Sequence, residues 1–145
     1  MRRVTLSVVV VLLAAACGSS QPVSTSGGRA AIGVNLQSPP FFGSGTTAPA
    51  NVDVVVENRS ASPIVVRNVR LESIGMAQWG VQTINRMFNE TIAPGDTKAF
   101  PLFATARALV SRMTYTEPLT VRSIVQFESE GKRFQEIYTG QANQN

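Results

Sequence analysis

The chain has 145 residues, with 13 Lys and Arg against 9 Asp and Glu, a formal charge of +4 and no histidine. Its isoelectric point near 10.0 comes from a scarcity of acids rather than from a basic face, since only 15% of residues are charged, and nucleic acid is not an expected partner. Missing histidine removes the commonest general base and metal ligand, and a single cysteine rules out an internal disulfide, so the sequence gives no reason to expect a metal, a cofactor or a catalytic role. The length suits one domain, burying roughly 60 to 70% of its unfolded surface without any staple.

In chain order, Arg2 and Arg3 form a positive start, residues 4–13 an apolar stretch and Ala14 to Ala16 a run of small residues, which together predict a secretory signal over 1–16. The apolar run is too short for a bilayer span, which needs roughly 20 residues. Leu13-Ala14-Ala15-Ala16-Cys17-Gly18 resembles a bacterial lipoprotein signal, in which small or aliphatic residues precede a lipid-accepting cysteine. Leu13 lies one residue further from the cysteine than the family's favoured Leu, and Ala14 takes its slot. The resemblance implies lipidation of Cys17, a mature chain starting there, and export with anchoring to the cell envelope. Gly18 then implies the outer membrane, facing the periplasm, in a Gram-negative host. Loss of Arg2 and Arg3 with the signal lowers the charge from +4 to about +2.

Residues 17–28 are rich in Ser, Gly, Thr, Gln and Pro and are expected to form a flexible tether with a root-mean-square reach of roughly 17 to 19 Å. The expected folded domain covers 29–140. Weak alternation predicts a strand over 30–36, followed by a loop over 38–50 rich in Pro39, Pro40, Pro49, Gly43 and Gly45, whose Phe41 and Phe42 are read either as rings tucked under the loop into the core or as an exposed aromatic contact. Val52, Val54 and Val56 alternate with Asp53, Val55 and Glu57, the clearest strand in the chain. The turn through Asn58 to Pro63 is expected to make a hairpin with a strand over 64–74. There Val65, Val69 and Leu71 share one face, interrupted by Arg67, and Val66, Asn68, Arg70 and Glu72 the other.

Residues 75–89 are less regular, with room for two short strands, and Trp79 is read as a core ring or a ligand platform. Pro94-Gly95 marks a type II turn before a strand over 97–103. Alanine content makes 104–113 a short helix or an irregular continuation. Strands over 119–128 and 133–139 form a hairpin around Ser129 to Lys132, and 141–145 is a polar tail. Six to eight short strands with turn chemistry between them predict an all-β chain folded as an antiparallel immunoglobulin-like or fibronectin-like β-sandwich.

Val54-Val55-Val56-Glu57-Asn58 leading to Pro63-Ile64-Val65-Val66, with the later Ile92-Ala93-Pro94-Gly95-Asp96-Thr97, is similar to the group 2 late-embryogenesis-abundant (WHy) β-sandwich family. That resemblance implies the fold, brings no catalytic residues, and hints at stress protection through surface hydration. The candidate binding residues are Phe41, Phe42, Trp79, Arg67 and Arg70. Arg122 and Arg133 would join the last two if the guanidinium groups converge on one sheet, where they would suit an anionic envelope polymer. A lipid-anchored, non-catalytic module that binds or scaffolds an envelope component is the expected function. The alternative enzyme is a hydrolase using two carboxylates, although nothing in the spacing selects a pair.

Overall fold

The computed structural model describes residues 28–75, 77–110 and 118–144. The predicted signal, Cys17 and most of the tether lie outside them. The described residues form nine strands: β1 (Ala30–Leu36), β2 (Thr47–Asn58), β3 (Ile64–Ser73), β4 (Trp79–Val81), β5 (Ile84–Ile92), β6 (Thr97–Ala108), β7 (Thr120–Ser129), β8 (Lys132–Gln141) and β9 (Asn143–Gln144). They form two sheets, ordered β4-β6-β2-β1-β9 and β5-β3-β7-β8, antiparallel except where β9 runs parallel to β1. This is the immunoglobulin-like arrangement, with β5 added beside β3 and β9 beside β1.

Alternation builds the core. Val52, Val54 and Val56 of β2, Phe100 and Leu102 of β6, and Val121, Val125 and Phe127 of β7 are all buried. Burying a side chain of that size stabilises the fold by roughly 1.5 to 3 kcal/mol. Phe88 of β5 meets Phe100 of β6 edge-to-face at 5.0 Å, closing one side between the sheets. Lys98 with Glu90, and the Arg86 Nη1 donating to the Pro101 carbonyl at 2.9 Å, seal the same side. Pro101 is tolerated inside β6 because β4 pairs only with residues 106–108, so the missing N–H falls on an open edge.

Several expectations change. The link from Asn58 to Pro63 is no hairpin, because β2 and β3 belong to different sheets. Asn58 makes the crossing possible: fully buried, its Nδ2 donates to the carbonyls of Ser62 at 2.9 Å and Ile92 at 3.0 Å. Its Oδ1 accepts from the Ser60 N–H and hydroxyl. Residues 104–108 extend β6 rather than starting a helix, since Ala104 and Ala106 pack inward opposite Ala50 and Ala48. Residues 111–113 of that segment lie outside the described part. The strand β2 begins at Thr47, inside the expected loop. The polar tail holds β9 and a buried Ala142, whose N–H donates to the Leu119 carbonyl at 2.8 Å.

The predicted faces of β3 also need correction. Arg67 sits where the register shifts against both β5 and β7, a β-bulge between Val66 and Asn68. The extra residue reverses the alternation, so Val66, Val69 and Leu71 point inward together and Val65 joins the outer face. The last hairpin is as expected. Glu130 and Gly131 both adopt positive φ, 51° and 70°, the pair that a two-residue type I′ turn requires between Ser129 and Lys132.

Candidate functional site

The bulge decides the surface chemistry of the four-stranded sheet. It turns Arg67 outward, where Nε and Nη2 donate to one oxygen of Glu128 at 3.3 and 3.2 Å and Nη1 donates to Asn89 Oδ1. Beside it lies a groove of about 730 Å³, lined from all four strands by residues that include Arg67, Asn68, Met87, Gln126, Glu128, Arg133 and Gln135. Bulges bend strands and re-aim side chains, and they occur often beside binding sites.

Register supplies the pattern across the groove. Asn68, Gln126 and Gln135 are direct cross-strand partners on β3, β7 and β8, and alternation points all three outward, with Met87 of β5 at the end of the row. The next row brings Glu128 beside Arg133. Among the described residues, the side chains of Asn68, Gln126, Gln135 and Arg133 have no hydrogen bond or ion pair. Glu128 is the one carboxylate in the groove lining, and Arg67 holds it.

A second cluster continues the face away from the groove. Glu72 accepts from Arg122 Nε at 2.6 Å and from Arg70 Nη2 at 2.9 Å, and pairs also with Arg122 Nη2. The Arg122 hydrogen bond, opposed by partial desolvation and helped by Arg70, holds the Glu72 carboxyl below its ordinary value. Arg67, Arg70, Arg122 and Arg133 therefore all lie on the outer face of one sheet, as convergence on one face required.

The aromatic candidates divide. Phe41 is 80% exposed, whereas Phe42 and Trp79 are 7% and 2% exposed and meet edge-to-face at 6.5 Å inside the core. Trp79 and Phe42 are thus structural rings, positioned by β4 and by the loop before β2. Phe41 stands at the opposite end of the sandwich from Arg133. The amide row was missed as a site because the outward positions of β3 and β7 are visible in sequence but their mutual register is not. The interruption of an apolar face by Arg67 was the available signal.

No family model matches the chain, and no curated protein does. Among solved structures, a protein from Archaeoglobus fulgidus is similar over 77% of this chain and 92% of its own, with 10% identity and a TM-score of 0.45. A FixG-related protein from Vibrio parahaemolyticus is similar over 81% of this chain and 97% of its own, with 13% identity and a TM-score of 0.36.

Proposed function

We propose that this protein is a lipid-anchored, non-catalytic module of the cell envelope that binds another envelope component in the groove over β5, β3, β7 and β8. The observation that carries the reading is the groove itself: a bulge-positioned arginine beside four unpartnered polar side chains, on a sheet face that also collects Arg70 and Arg122. Two-carboxylate hydrolysis finds less support, because Glu128 in the groove is tied to Arg67, while Glu72 is held between two arginines. Export and anchoring rest on residues 2–18 and on the lipid expected at Cys17.

A photo-crosslinking residue placed at position 126 or 135 in living cells tests the binding role, with position 55 on the opposite sheet as the control. Adducts are expected at 126 and 135, weakened when Arg67 is replaced by alanine. Equal yield at all three positions would remove the groove from the proposal.

A further inference from the structure

Resting on that binding role, the geometry points to a carboxylate-bearing oligosaccharide as the occupant of the groove, lying across the strands with a sugar carboxylate on Arg133 and hydroxyls on Asn68, Gln126 and Gln135. The three amides share one row perpendicular to the strands, so neighbouring side chains start about 4.8 Å apart. Each amide donates through its nitrogen and accepts through its oxygen. A sugar hydroxyl does both as well, whereas the oxygens of a phosphate diester only accept and would leave the amide oxygens unmatched.

Charge at the groove is sparse and specific. Arg67 is engaged by Glu128 and Asn89, which leaves Arg133 as the groove guanidinium without a partner among the described residues. A guanidinium takes a carboxylate through two parallel N–H bonds. The exposed apolar contact of the groove is Met87, 82% exposed, while Phe88 and Phe134 pack against the core and Phe127 is buried in it. With no outward ring to stack on, neutral sugars have little to hold them, and hydrogen bonds with one ionic contact become the means of recognition. An extended peptide would instead add along a strand edge through its backbone, and this groove crosses the strands and offers side chains.

Titration of the purified full-length protein in detergent, followed by backbone NMR shifts, would use tetragalacturonate, its methyl ester and chitotetraose. The acid is expected to shift the amides of Asn68, Gln126 and Gln135 and to bind three- to tenfold tighter than the ester. Arg133→Gln is expected to abolish that difference without moving the thermal midpoint, and Gln126→Ala to weaken acid and ester alike. Equal binding of acid and ester, no effect of Arg133→Gln, or no binding at all would overturn the assignment. Displacement of the sugar by phosphatidylglycerol vesicles, with the same residues shifting, would overturn it in favour of a lipid headgroup. Groove crosslinks retained in cells without sugar binding would overturn the ligand class alone, while loss of those crosslinks would overturn the binding role.

Discussion

At the scale of single residues, buried polar groups divide into those that organise the fold and those that do not. Asn58 satisfies three carbonyl or amide partners and a hydroxyl at the point where the chain changes sheets. Its replacement strands several of them, each worth roughly 1 to 3 kcal/mol when buried. Asn58→Ala is therefore expected to lower stability by about 2 to 4 kcal/mol in urea unfolding. Ser123 is the contrast, for its hydroxyl is buried with no partner among the described residues. Ser123→Ala should be neutral or stabilising by up to about 1 kcal/mol in the same measurement. Glu72 sets a pH dependence: its folded pKa lies below its unfolded value, so its contribution is full above the ordinary value of 4.5 and is lost as pH falls through the lower folded value. Glu72→Gln should flatten that acidic limb in a series of unfolding curves between pH 6 and 3. In sequence Arg70 and Glu72 already share an outer face two residues apart, whereas Arg122 joins them only through the register of β3 with β7.

Among elements, β3 is the most instructive. Its pattern alone assigns Val65 to the core and Val66 to the surface, and one extra residue at Arg67 reverses that assignment while creating the groove. A bulge depends on what the neighbouring strands offer, so only the paired sheet reveals it. The β7–β8 hairpin shows the opposite case, since Glu130-Gly131 between two alternating runs identified the turn directly. Glu130 occupies a positive φ of 51° that a residue with a long side chain adopts at a cost, and Asn is favoured at that position. Glu130→Asn should raise stability by up to about 1 kcal/mol, because Asn visits the left-handed region more readily than Glu. Part of the gain is offset by the hydrogen bond from the Ser62 hydroxyl to Glu130 Oε1 at 2.5 Å, so thermal unfolding of Glu130→Asn in a Ser62→Ala background should show the full amount.

Over the whole molecule, the two ends of the sandwich have different characters. The described chain begins at Gly28, on the end that carries the turns through Asn58, Gly95 and Gly131, and Arg133 and the groove lie toward that end. Phe41, Leu109 and Val110 are exposed at the other. A lipid on Cys17 would therefore hold the groove end nearer the membrane. Cys17→Ser should abolish incorporation of an alkyne-labelled fatty acid and move the protein from the membrane to the soluble fraction, with the thermal midpoint of the domain unchanged. Retention of the label after the substitution would place the acyl chain elsewhere.

Period-two alternation was sufficient to specify an all-β sandwich, because it depends on local side-chain chemistry along the chain, and the run from Leu13 to Gly18 is the local pattern on which the proposal of export and anchoring rests. The strand turns at Pro94-Gly95 and Glu130-Gly131 were equally legible, as the freedom of Gly95 and Gly131 to take positive φ belongs to the residue itself. Which strands share a sheet, that β2 and β3 part at Asn58, and that Asn68, Gln126 and Gln135 form one row beside Arg133 were decided only by the tertiary structure. Register joins residues far apart in the chain through backbone pairing, and backbone groups are the same in every residue.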